Sequence, residues 1–209
     1  MVWSFFFGLI VASALLIGKS ISNWNVGKVI GLLAGIGIAY YITVASPAQT
    51  TEAYWFIFLS GALAICAMIL PGISGSFILL LLGKYRFILE SLSSFRMEVI
   101  LVFMVGCLFG LLSFARLLSW MFKHAKELTI SILTGFMIGS LNKVWPWKIT
   151  VETTTDRHGE LIPLVQHSVM PRQFDGDPQL LWCIGLALAG FLLIWILEKS
   201  TPDNMIGVD

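Results

Sequence analysis

Between Tyr54 and Leu82 the chain carries no Asp, Glu, Lys or Arg. As one straight helix this run would measure about 43 Å at about 1.5 Å per residue. The hydrocarbon core of a bilayer is only ~30 Å thick. The middle of the run reads Pro71-Gly72-Ile73-Ser74-Gly75-Ser76. Pro71 has no N–H, and its ring clashes with the preceding helical turn. Gly72 and Gly75 open backbone conformations closed to other residues. A helix must therefore stop near Leu70 and restart near Ser76. Backbone groups left unpaired at membrane depth are tolerated only inside protein or beside a wet cavity. The segment predicts a re-entrant broken-helix hairpin over 54–82. The alternative is a proline kink in an ordinary crossing helix.

The rest of the chain supports a membrane setting. Further apolar stretches fall at 2–17, 29–45, 97–122, 128–145 and 179–198. Each approaches the roughly 20 residues that a spanning helix needs. Only 12% of the 209 residues are charged, about half the share in a soluble domain. Mean hydropathy is +0.88. These values exclude a soluble globular enzyme, a disordered chain and a basic nucleic-acid-binding domain. Trp3, Tyr54, Trp55, Trp120, Trp145, Trp147 and Trp182 fall near the ends of the stretches, where an interfacial aromatic belt belongs. Residues 2–17 lack the basic leader of a cleaved signal and are read as a helix. Cys66, Cys107 and Cys183 lie inside apolar stretches and read as small buried hydrophobes. The expected class is an all-α polytopic membrane protein with about five spanning helices plus the hairpin.

The segment 148–178 differs in kind. Ile149–Thr153 alternates, Asp156-Arg157-His158-Gly159 supplies turn chemistry, and Leu161–Val165 resumes the apolar run. This pattern predicts a small extramembrane β-hairpin, either a solvated cap or a lid over an entrance. A faint internal repeat relates Phe7-Gly8-Leu9-Ile10-Val11-Ala12-Ser13 to Thr134-Gly135-Phe136-Met137-Ile138-Gly139-Ser140. Small residues four apart recur there and at Gly31/Gly35 and Gly106/Gly110, a spacing that lets helix backbones approach closely. The repeat predicts the end of a first, truncated unit over 1–45 and a second unit over 46–209.

The hairpin would place 46–53 and 83–96 on one side of the membrane. The large loop would then lie outside and the C-terminus inside. Lys84, Arg86 and Arg96 sit badly with the positive-inside rule in that topology. Binding an anionic substrate would account for them.

The candidate site is the break itself: Pro71, Gly72, Ile73, Ser74, Gly75 and Ser76. A restarting helix would aim free N–H groups and its positive dipole end into the cavity, beside two hydroxyls. Broken helices of this kind form substrate sites in secondary transporters. Lys84 and Arg86 follow the break closely. Arg116 lies within a spanning stretch, where a charge is costly and points to function; snorkelling to the interface is its alternative. Ser140 and Asn142 end the 128–145 stretch, and helix capping explains them as well as ligand contact does. Glu90 and Glu98 fit a solvated connection. His124, His158 and His167 show no metal spacing and no triad partner, so no metal and no cofactor is expected.

Several of these residues resemble the bacterial polyprenyl-phosphate transporter family. They are the segment 64–77 around Pro71-Gly72-Ile73-Ser74-Gly75-Ser76, then Leu82-Gly83-Lys84-Tyr85, Thr134–Leu141 and Trp145-Pro146-Trp147. The resemblance covers nearly the whole chain. It implies an inverted-repeat transporter fold with two re-entrant motifs, located in the cytoplasmic membrane. It also implies return of undecaprenyl phosphate across that membrane for reuse in cell-envelope synthesis. The partners implied are the polyprenyl phosphate and membrane lipids, with a coupling ion as an open addition and no nucleic acid. The first repeat and its Pro-Gly hairpin are expected to be missing here. Other readings are a small-anion channel or ion-coupled carrier and a non-transporting membrane subunit. A membrane phosphatase would need a nucleophile or carboxylate–metal cluster, and none stands out.

Overall fold

The structure is a computed structural model that describes residues 2–48, 50–155, 161–174 and 179–200. It is mainly helical. The helices are α1 (Val2–Lys19), α2 (Val26–Val44), α3 (Tyr54–Ile69), α4 (Gly75–Leu81), α5 (Tyr85–Ser93), α6 (Met97–Ser140) and α7 (Leu180–Ser200). Among the described residues four helical runs are long and apolar enough to cross a membrane: Val2–Lys19, Val26–Val44, Met97–Val144 and Leu180–Ser200. Their outward faces carry exposed large hydrophobics such as Leu33, Leu101, Met104, Phe109 and Leu192. That surface is costly in water and suits lipid.

The stretches expected at 97–122 and 128–145 form one helical run. It is interrupted at Ala125, whose backbone (φ −147°, ψ 52°) is not helical. Straight, its 44 residues would span about 66 Å, twice a bilayer core. The interruption falls within the polar stretch Lys123-His124-Ala125-Lys126-Glu127.

The chain divides into two compact units, Ile21–Phe136 and Met1–Ser20 with Met137–Asp209. In the first, glycine seams set the packing. Phe58 lies against Gly106, and Ala62 against Gly110, so α3 and α6 advance together. Gly31 and Gly35 of α2 face Leu128, Ile132 and Gly135 of α6. Ala39, Ala67, Ile73 and Phe136 form the core of this unit, with Ile42, Leu70, Ile78 and Ile132 packed around them. Asn25 caps α2 by accepting the Lys28 N–H at 2.9 Å.

In the other unit α1 packs on α7, with Gly8 against Ala187 and Gly190 against Phe5 and Leu9. A short 3₁₀ turn (Leu141–Val144) continues from α6. Then β1 (Lys148–Thr155) and β2 (Leu161–Ser168) pair antiparallel, from Lys148↔Ser168 to Thr155↔Leu161. Register shifts on either side of Glu152 interrupt the ladder. The β-hairpin expected from alternation is therefore present; its expected turn at 156–159 lies outside the described residues.

Candidate functional site

The break in the 54–82 run follows its local chemistry. α3 stops at Ile69, and the Leu70 N–H bonds back to Ala67 O at 3.2 Å. Gly72 takes φ 88°, a left-handed conformation that glycine adopts without a Cβ penalty. Ser74 is extended (φ −105°, ψ 142°) and caps α4, its Oγ accepting the Phe77 N–H at 3.2 Å. The Ser74 and Ser76 hydroxyls stand 3.2 Å apart, both on exposed residues.

α4 then returns along α3. A Cβ at Gly75 would sit 2.6 Å from Ala64 O and 2.8 Å from Met68 Cγ. Glycine is thus required here so that α4 can lie on the α3 backbone. At the far end of α4 the Ala48 N–H donates to Leu81 O at 2.8 Å, and the Thr50 hydroxyl donates to Leu82 O. Gly83 takes φ 63° at this second turn. The segment just before the 54–82 run is thus tied to the end of that run.

The structure separates the expected site residues into groups with different work. Pro71, Gly72, Ser74 and Ser76 line the outer side of the turn. Ile73 is buried and plugs the core against Ala39 and Phe136. Lys84 is only 2% exposed. Its ammonium donates to Thr50 O at 2.9 Å and lies 5.7 and 5.4 Å from the Phe56 and Phe87 ring centres. The seven-residue α4, about 10 Å long, separates Lys84 from Ser74. Lys84 therefore holds the base of the hairpin and does not meet the break. Arg86 is exposed and pairs with Glu90 at 2.9 Å, one turn on along α5. This is the solvated connection read from the sequence, and its energetic weight is small.

The Phe58/Gly106 and Ala62/Gly110 contacts share one register. Carried about one and two-thirds turns further along the axis, it sets Arg116 at the level of Met68. Arg116 is exposed. Ser140 and Asn142 belong to the other unit. Ser140 is fully buried and its hydroxyl donates back to Met137 O at 2.8 Å, within its own helix. The Asn142 carbonyl accepts from the Ser168 hydroxyl at 3.2 Å. Among the described residues no three His, Cys, Asp or Glu side chains gather as a metal site would need.

Sequence reading missed one cluster. Lys28 donates to Glu127 and to the carbonyls of Ser22 and Asn23. The Ser22 hydroxyl also bonds Glu127, and Ser131 Oγ donates to Lys28 O at 2.6 Å. The cluster clamps the start of α2 beside the interruption at Ala125. Opposite charges 99 residues apart carry no spacing signal that could announce it.

A family profile described as undecaprenyl phosphate translocase-like matches residues 1–162. A Vibrio cholerae protein named polyprenyl-phosphate transporter is 43% identical over 202 residues, which are 95% of this chain and 66% of that protein. A Staphylococcus aureus protein of the same name is 29% identical over 161 residues, 68% of this chain and 57% of that protein. The chain thus spans less than two thirds of the length of these curated relatives. No solved structure matches it.

Proposed function

This chain belongs to the undecaprenyl phosphate translocase-like family, and from that premise we propose that it carries a polyprenyl phosphate across the bacterial cytoplasmic membrane. The observation that supports this most is the folded-back broken helix. Its turn presents the Ser74 and Ser76 hydroxyls, and the α3–α6 register brings Arg116 to the same level. Hydroxyls and a guanidinium suit a phosphate, with the planar fork offering two parallel bonds. In this reading 54–82 is a re-entrant hairpin that enters and leaves on one face. The helices at 97–124 and 126–140 are separate crossings, giving five spans. Units meeting near residue 45 are related by inversion, which suits alternating access to a headgroup. The carrier reading involves positioning and passage with no covalent step, so it needs no nucleophile and no cofactor.

An apolar cleft of about 230 Å³ lies between α5 and the start of α6, walled by Ile88, Leu92, Phe103 and Met104 among others. It offers a prenyl tail a path beside the base of the hairpin. The test is uptake of a labelled polyprenyl phosphate by liposomes holding the purified chain. Arg116→Ala is expected to abolish uptake, and Arg116→Lys to reduce it. Uptake equal to the parent's in both variants would remove Arg116 from the site. Equal competition by inorganic phosphate would replace the lipid carrier with a small-anion carrier.

A further inference from the structure

The Lys28–Glu127 pair joins α2 to the second half of α6 at one end, and the helix break lies further along the same two helices. The Lys28 ammonium holds Glu127 together with Ser22 O at 2.9 Å and Asn23 O at 2.7 Å. The Lys28 side chain is 12% exposed and that of Glu127 37%, so water reaches the carboxylate. A cleft of about 390 Å³ opens beside the pair. Asn25, Gly27 and Lys28 wall it on one side, and Ala125, Lys126 and Glu127 on the other. The helical backbone is interrupted there at Ala125, with no proline or glycine to require it. Further along, the two helices close on each other. A Cβ at Gly35 would meet Ile132 O, and one at Gly135 would meet Leu32 O. At the end of this seam Ala39 and Phe136 pack with Ile73 of the break. Ala39 lies about 16 Å along α2 from Lys28, half of the ~30 Å apolar core.

We propose that the Lys28–Glu127 pair is a gate. It locks α2 onto the second half of α6, shuts the way from that end of the helices to the break, and parts once in each transport cycle. Its purpose rests on the carrier reading; its motion does not. Three features suit a gate better than a fixed brace. The pair joins the helices at an end, where separating them starts. One partner is open to water, which screens the attraction and lowers the cost of parting. The interruption at Ala125 supplies a hinge, since a backbone already out of helical geometry absorbs a turn of the segment beyond it. The pair, the cleft, the seam and the break all lie within the unit Ile21–Phe136.

Thiol labelling of the full chain in liposomes tests it, in a background carrying Cys66→Ala, Cys107→Ala and Cys183→Ala. Ala39→Cys places a probe at a fully buried position beside the break, and Ser60→Cys an equally buried control in α3. A charged methanethiosulfonate should label Ala39→Cys slowly in the parent. Glu127→Gln and Lys28→Gln should each speed that labelling at least tenfold, and Lys28→Arg should keep it slow. Labelling of Ser60→Cys should stay slow throughout. An unchanged rate at Ala39→Cys in Glu127→Gln, or an equal rise at Ser60→Cys, would overturn the gate. Locking the pair shut is the second test. A short bismaleimide joining Lys28→Cys to Glu127→Cys should cut polyprenyl phosphate uptake at least tenfold against the same variant left unjoined. Binding of dodecyl phosphate should survive the joining. Uptake that persists in the joined protein would show a structural brace and overturn the proposal. Absence of uptake by the parent would count against the carrier reading, while the labelling rates still decide for or against the gate.

Discussion

Two interruptions divide the apolar helices of the unit Ile21–Phe136, and they arise differently. At 70–74 the backbone itself forbids a helix: Pro71 lacks a donor, Gly72 sits at φ 88°, and Ser74 caps the restart. At Ala125 the chain has no proline and no glycine, yet a single residue leaves helical geometry. What surrounds it is tertiary. Lys28 and Ser22 hold Glu127, Ser131 bonds the Lys28 carbonyl, and Thr129 Oγ1 bonds Ala125 O at 2.9 Å. The first break is written into local chemistry. The second depends on a clamp from distant residues. Removing distant contacts should therefore straighten or loosen the second and leave the first broken.

The largest effect is expected from Gly75→Val. A side chain there meets the α3 backbone at Ala64, and the seam can relieve it only by moving α4. Overpacking against backbone should cost about 3 kcal/mol, the upper end of the usual range, read as lost helical-hairpin protection in hydrogen exchange at 75–82. Parent-like protection would mean that α4 does not lie on α3.

Glu127→Ala comes next. It strips the clamp and leaves Lys28 with carbonyl partners only. Spin labels on either side of Ala125 should then report a broader distance distribution, while labels flanking 70–74 stay unchanged. An unchanged distribution at Ala125 would mean that the interruption is local after all.

Ser74→Ala removes the cap of α4 and should cost about 1 kcal/mol, seen as a lower denaturation midpoint with the break still in place. The smallest effect belongs to Arg86→Ala. The Arg86–Glu90 pair is exposed on both sides and should contribute no more than about 0.5 kcal/mol. A loss above that would show that Arg86 has a partner beyond Glu90.

The contrast also sets out what could be read in advance. Apolar stretches, the Pro-Gly-Ser break, the small-residue seams at Gly31/Gly35 and Gly106/Gly110 and the β-hairpin were all legible, because each follows from a few adjacent residues. The level that Arg116 reaches along α3 was not. It depends on the register in which Phe58 meets Gly106 and Ala62 meets Gly110, and spacing along one helix says nothing about its offset from another. Gly75 was read as opening a backbone conformation closed to other residues, whereas the structure uses it to make room for a neighbouring backbone. Lys84, close to the break in sequence, is carried to the other end of α4 and buried against Phe56 and Phe87.

The sequence by itself determined where helices can and cannot run, since backbone donors, ring closure and hydropathy act over single turns. It also determined that the chain belongs in a bilayer. Only the tertiary structure decided which residues share a place: Thr50 with Lys84 and Lys28 with Glu127. Those pairings depend on close packing between helices distant in sequence. A shift of one residue there moves a charge about 100° around its helix and out of reach of its partner.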